Sequence, residues 1–421
     1  MQRVSDLFGQ ARRLLLEQAR IVVFLLRWIV LGAVSGVLAG LSSYIFLEGL
    51  DRVTRYRLQH GWLIWLLPAA GLSIGLAYHL LGGRAVQGNS LLIEQIHEPT
   101  EWVPRRMAPL VLGGTWVTHL FGGSAGREGT ALQMSGSLTD LAARTLRLKD
   151  SDRRLLLIAA LGGGFGAVFG VPLAGAVFAM EVQAVGRVRY EALVPALTAS
   201  VVGSLVVDGL GYHHAVRPQL SVHVDAAVAL KVALAGLVFG LASVVFVELT
   251  HGVKALMARF VSWPPLRTAI GGGAVVGLAV LFGRQYLGLS LPLVDSALAG
   301  THTSITVSLL KLVFTAVTLG CAFPGGEVTP LFVIGGTLGA AMAGVLHLPI
   351  AVVAAIGFVA VFAAAANTPL ACTVMGAELF SAGLAVPIAI ACVIAYVFSG
   401  HRSIYSSQRV HAHKHGGSTV A

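Results

Sequence analysis

Gly126-Arg127-Glu128-Gly129-Thr130 places an arginine and a glutamate between glycines, inside a run of small and apolar residues. A charge at bilayer depth costs about 2.5–3.5 kcal/mol even on lenient insertion scales, so it persists mainly where it functions. Flanking glycines let the backbone come close to a ligand, and a helix starting there offers unpaired N–H groups to an anion. Glu128 can compete with that anion or carry a proton. The structural alternative is a first-turn acid that complements its helix dipole. Gly325-Gly326-Glu327-Val328-Thr329 repeats the pattern with a second acid, Glu327, and a hydroxyl at Thr329.

Holding such groups requires a membrane and helices broken within it. Of the 421 residues, 56% are hydrophobic and 11% charged, with a mean hydropathy of +0.81. Ordinary globular domains carry about 25% charged residues, so the composition is that of a polytopic membrane protein. Apolar stretches recur from residues 21–46 to residues 384–398, several of them shorter than the roughly 20 residues a simple span needs. Short, glycine-interrupted segments predict broken or re-entrant helices lining a cavity inside the protein.

The net charge of +10 is concentrated at the ends. Arg3, Arg12, Arg13, Arg20 and Arg27 precede or open the first apolar stretch, and Arg402, Arg409 and Lys414 follow the last. Cytoplasmic flanks rich in Lys and Arg explain this distribution, which places both termini inside a plasma (inner) membrane and removes the case for a nucleic-acid partner. A further basic loop, Arg144 to Arg154, has no assignable side. Val4, Leu7, Phe8, Ala11, Leu14 and Leu15 recur at helical spacing between arginines, which predicts an amphipathic helix lying on the bilayer. Cys321, Cys372 and Cys392 read as buried thiols. His411, His413 and His415 read as a solvated tail, with no metal site. No Walker, His-Glu-x-x-His or Ser/His/Asp pattern argues for an enzyme, and no cofactor is implied.

The chain repeats internally. Gly126–Thr130 aligns with Gly325–Thr329, Ala167-Val168-Phe169 with Ala360-Val361-Phe362, and Pro172-Leu173-Ala174-Gly175 with Pro369-Leu370-Ala371-Cys372. Glu181 then aligns with Glu378, which suggests a shared structural role at helix ends. The units are expected over about residues 80–210 and 225–400. Repeats of this kind place a substrate site at their interface near the bilayer midplane. Lys231 and Lys311, near the ends of apolar stretches, are expected to snorkel.

On these residues the chain resembles the CLC family of chloride channels and anion/proton antiporters. The resemblance rests on Gly126–Thr130, on the Phe-Gly-Ala-Val-Phe-Gly-Val-Pro-Leu-Ala-Gly run ending at Gly175, and on Lys311 through Pro330 with its Pro-Gly-Gly. It spans about residue 30 to Tyr405. It implies an all-α polytopic membrane protein with an antiparallel (inverted) repeat, forming a homodimer in which each subunit has its own anion path. The acid matching Glu128 would be the outer gate, and the phenol matching Tyr405 would line the inner end of the path. The expected organisation is then residues 1–30 as the surface helix, 31–400 as the transmembrane domain, and 401–421 as the end of the pore-lining segment and a polar tail.

Three departures narrow the resemblance. Asn89, in Gly88-Asn89-Ser90-Leu91-Leu92, stands where the family usually has a chloride-binding serine. Glu327-Val328-Thr329 replaces the usual Ile-Phe-Ala, and Val182 stands where chloride/proton antiporters carry an inner acid. All three resemble the fluoride-selective branch, which couples fluoride export to proton influx. The chemistry agrees, since a small, strongly hydrated anion needs several strong donors. The Asn89 amide has two against one for a serine hydroxyl, Thr329 adds a hydroxyl, and N–H groups at two helix starts, including Gly129 and Val328, add more. An acid at Glu327 beside an anion path makes sense if it binds the proton. Capping remains the plainer role of Asn89, Glu327 and Thr329, and interfacial anchoring that of Tyr405. Fluoride and protons are therefore the expected substrates. A chloride channel or chloride/proton exchanger is the alternative.

Overall fold

The computed structural model describes residues 2–414, with side chains from Leu15 onward. Two successive series of eight α-helices account for most of the chain. The first comprises α1 (Gln2–Gln59), α2 (Leu67–Ala77), α3 (Asn89–His97), α4 (Met107–Leu120), α5 (Glu128–Thr145), α6 (Asp150–Phe169), α7 (Pro172–Glu181) and α8 (Leu193–Gly209). The second comprises α9 (Ala226–Phe260), α10 (Pro264–Phe282), α11 (Leu291–Leu298), α12 (Ile305–Gly320), α13 (Val328–Leu346), α14 (Ile350–Ala366), α15 (Pro369–Phe380) and α16 (Ala385–Phe398). Six stretches among the described residues are long and apolar enough to cross a membrane, and shorter apolar helices such as α7, α12 and α15 accompany them.

Neighbours repeat between the series. Helix α1 packs on α4, α5, α6 and α8, as α9 packs on α12, α13, α14 and α16, while α2 meets α10 and α7 meets α15 across the join. The first unit thus takes in α1 and α2, upstream of the start expected near residue 80. Their likeness to α9 and α10 is one of packing, and the repeated motifs all lie further along the chain.

Close approach of small residues makes this packing possible. On α13 and α14, Gly335 and Gly357 face each other so tightly that a Cβ on either would overlap the other's carbonyl. Phenylalanines from both series fill the centre: Phe165 stacks on Phe178 at 4.2 Å, Phe332 on Phe358 at 4.2 Å, and Phe362 lies 6.1 Å from Phe165. Glu181 and Glu378 have the paired role their alignment suggested. Glu181, at the end of α7, accepts from the Leu370 and Ala371 N–H groups at the start of α15 (3.1 and 2.8 Å). Glu378 in α15 returns the arrangement on Leu173 and Ala174 of α7 (2.8 and 2.7 Å). Each helix closes the orphan donors of its counterpart, so the two run antiparallel.

Three expectations are corrected. Helix α1 continues unbroken across residue 30, because residues 10–31 contain neither glycine nor proline to end it. The apolar set Val4, Leu7, Phe8, Ala11 and Leu14 lies outside the described side chains. Lys311 does not snorkel. It is fully buried, and its three N–H donors are shared among four oxygens, Ser124 Oγ, Ser290 Oγ and the Tyr286 and Gly288 carbonyls, at 2.8–3.2 Å. The C-terminal segment is not free either. β2 (Arg409–Val410) pairs in parallel with β1 (Ala184–Val185), and the Lys414 ammonium donates to Asn367 Oδ1 and the Tyr396 carbonyl at 2.5 and 2.7 Å. His413 stands edge-on to His401 at 4.9 Å, while His415 lies outside the described residues.

Candidate functional site

The glycines of the two motifs join the halves. Gly126 N–H donates to the Gly326 carbonyl at 2.7 Å, and Gly326 N–H to the Gly126 carbonyl at 3.0 Å, a single antiparallel bridge. It holds the starts of α5 and α13 against each other. The turn before α5 is further clamped by Lys311 on Ser124, and by Ser124 N–H and Oγ on Thr318 and Thr315 of α12 (3.1 and 3.0 Å). The bridge also corrects the register of the repeat. Arg127 and Glu327 are the two N-cap residues, so Glu128 falls opposite Val328 and Glu327 opposite Arg127. Neither cap side chain hydrogen-bonds its own helix start, which leaves the first N–H groups open to an anion.

The Glu128 carboxylate takes that place. It is buried (1% exposed) and reaches across to the other half. Oε1 accepts from Val328 N–H at 2.6 Å, and Oε2 from Thr329 N–H at 3.2 Å, Thr329 Oγ1 at 3.1 Å and Arg127 N–H at 3.0 Å. Four donors on one carboxylate describe an anion site filled by the protein's own acid. A side chain at Gly326 would overlap this carboxylate, so the glycine is needed there. The Val328 side chain is fully buried and contributes through its backbone alone.

A cavity of about 520 Å³ reaches Gly325 and Glu327 at the start of α13. Asn89, Glu327 and Tyr405 line it together. Asn89 Oδ1 and the Tyr405 hydroxyl are buried and complete no hydrogen bond, so polar atoms wait there for a partner. Gly129 sits where the Asn89 amide approaches the Gly325–Gly326 turn, and a Cβ on it would stand 3.1 Å from the Gly325 carbonyl. Its observed part is close approach. Gln133 on α5 and His251 and Lys254 on α9 also line the cavity. Sequence reasoning passed over them, although an amide five residues beyond Glu128 on a largely buried helix was a signal.

Fold and site together define a multi-pass helical membrane protein of inverted-repeat architecture with an anion position between its halves. A family model described as voltage gated chloride channel matches residues 70–400, and the chain belongs to that family, the CLC channels and transporters. It is 45% identical over 410 residues to the chloride/fluoride channel protein of Pseudomonas syringae pv. tomato, covering 95% of this chain and 90% of that one. The H(+)/Cl(-) exchange transporter ClcA of Cronobacter sakazakii is 27% identical, with 90% and 88% covered. Among solved structures, a CLC-type fluoride/proton antiporter superposes with a TM-score of 0.89 at 35% identity, covering 92% of this chain and 98% of that one. A slow cyanobacterial Cl-/H+ antiporter, at 20% identity and a TM-score of 0.78, shares the fold.

Proposed function

We propose that the chain exports fluoride in exchange for protons. The observation that carries this reading is the Glu128 carboxylate, held by four donors at the point where the two halves meet. An ionised carboxylate only accepts hydrogen bonds, so it fills the anion position; a protonated one donates and loses its hold on those N–H groups. Anion and proton thereby exclude or admit one another at a single side chain. Asn89 and the Glu327-Val328-Thr329 start favour fluoride, because they add amide and hydroxyl donors along the path. The fluoride/proton antiporter named among the similar structures supports the same choice.

The remaining roles follow from this reading. Glu327, at the cavity and beside the Thr329 contact, serves as a second proton or anion site. On this reading the cavity opens on the side of Tyr405 and Ser406, which line it close to the C-terminus. The basic flanks make that side cytoplasmic, so the cavity faces the cell interior of an inner membrane. The resemblance to the family supports a homodimer in the lipid bilayer, with one path per subunit.

Proteoliposomes loaded with fluoride or chloride, read with ion electrodes with and without a proton gradient, test the reading. It expects fluoride efflux at least tenfold faster than chloride, about 1.4 kcal/mol of barrier, with proton uptake. Equal fluxes would install the chloride alternative, which the chloride/fluoride channel name of the 45% identical relative also suggests.

A further inference from the structure

Arg127 precedes Glu128, and its side chain belongs to a second group of polar residues, none of which lines the cavity. Residues 210–225, which join the two halves, fold onto it. This segment is tied down by Arg217 on Asp295 (2.5 Å) and by Leu220 N–H on the Phe380 carbonyl (2.9 Å). The Tyr212 hydroxyl lies beside both the Asp51 carboxylate of α1 and the Arg127 guanidinium. That guanidinium lies over the Phe169 ring, 5.3 Å from its centroid. His214 stands edge-on to Tyr212 at 5.4 Å and rests on Gly170, the left-handed residue (φ 70°) that ends α6. A Cβ at Gly170 would come within 2.5 Å of the imidazole Cδ2, so glycine both makes the turn and admits the ring.

Three nitrogens here are buried, Arg127 Nε, His214 Nδ1 and His214 Nε2, and none completes a well-formed hydrogen bond; the acceptor beside the imidazole is the Ala167 carbonyl of α6. Buried donors without well-formed bonds are costly, and here they sit on one fixed cation and one group able to become a cation. Around the imidazole lie Arg127, Asp208 of α8, His213 and the Ala167 carbonyl of α6, while Asp51 of α1 faces Arg127 and Tyr212 and has Arg55 and Glu48 beside it. With His214 neutral, two arginines (Arg127 and Arg55) stand among three carboxylates (Asp51, Glu48 and Asp208), a balance that disfavours an anion. Protonation of His214 balances the charges and adds a second N–H donor.

We infer that Arg127 and His214 form a second anion site, beyond the Glu128 carboxylate, that holds a halide only when the imidazole is protonated. Departing anion and incoming proton then meet at one place before the proton passes to Glu128. The identity of the ions rests on the proposed fluoride/proton exchange; the site itself rests on the geometry. Burial and the Arg127 charge push the empty imidazole down to about 4, and a halide beside the ring opposes the second of these. By linkage, whatever factor the halide adds to proton affinity, the proton adds to halide affinity.

Histidine-selective NMR of the full chain reads the coupling directly, with the His214 signal assigned by its loss in His214→Gln. The expected result is a titration midpoint at least one pH unit higher in fluoride than in gluconate. His214→Gln should also bind one fluoride fewer per chain than wild type at acid pH, and the same number at neutral pH, by calorimetric titration. A midpoint unchanged by fluoride and by chloride, or an unchanged acid stoichiometry in the variant, overturns the site. If chloride raises the midpoint and fluoride is not transported, the site stands and the choice of fluoride as substrate falls.

Discussion

Two acids stand at the joined helix starts, in unlike positions. Glu128 is the first residue of α5 and crosses to the other half, while Glu327 caps α13 and faces the cavity without a side-chain bond to its helix. On the proposed reading the first leaves an anion position and the second meets an anion on its way there. If Glu327 takes part, Glu327→Gln shifts or flattens the pH profile of fluoride flux, since the amide keeps a donor and cannot titrate. A profile that overlays wild type would leave Glu128 as the sole proton carrier. Asn89→Ser removes one donor from the amide pair, and the fluoride-to-chloride flux ratio is expected to fall by up to tenfold, partially because backbone donors remain. Lys311 makes a different prediction. Its four acceptors stay buried in Lys311→Met, so the variant should lose at least about 1–3 kcal/mol, read as a lower thermal midpoint in detergent. Glu128 stood out in the sequence because a charge between glycines in an apolar run is costly, and the structure gives it four donors at a buried helix start. Lys311 was not, because its acceptors come from Ser124 and from residues 286–290, segments that meet only in the folded chain.

At the scale of elements, the repeat was visible as matching motifs, and the structure shows what the matches do. Glu181 and Glu378 each accept from two N–H groups at the start of the other's helix, so the pair ties the halves together at α7 and α15. Glu181→Ala and Glu378→Ala should each cost about 0.5–2 kcal/mol of stability, the usual range for a lost cap, and leave the anion-to-proton ratio as in wild type. A changed ratio would show that these helix ends also serve the path. The motif alignment set Glu128 against Glu327, yet the bridge between Gly126 and Gly326 sets Glu128 against Val328. One residue of slip was invisible because Gly325 and Gly326 are identical letters, and only the hydrogen-bond partner of Gly126 separates them. The same bridge explains why one half supplies the carboxylate and the other three of its four donors.

Across the whole molecule, composition was enough to place the chain in a membrane, and the brevity of its apolar stretches foretold helices ending inside it. The limits of the units were less legible. Helix α1 runs through residue 30 and packs into the first series, and the segment after α16 returns to pair Arg409 and Val410 with Ala184 and Val185. Such long-range returns leave no periodic trace. Their effect is to fix Tyr405, between two tethered stretches, against the cavity that also holds Asn89 and Glu327. The cavity reaches Glu327, the residue before the Val328 N–H that holds the Glu128 carboxylate, and on the proposed reading every coupled cycle passes a side chain that is either a bound anion mimic or a neutral acid.

Proton uptake driven by an outward fluoride gradient, measured in proteoliposomes holding Glu128→Gln beside wild type, tests this claim most directly. Glutamine keeps the shape and cannot ionise, so fluoride-driven proton uptake should vanish in the variant and be present in wild type. Proton uptake at the wild-type ratio in Glu128→Gln would contradict the account.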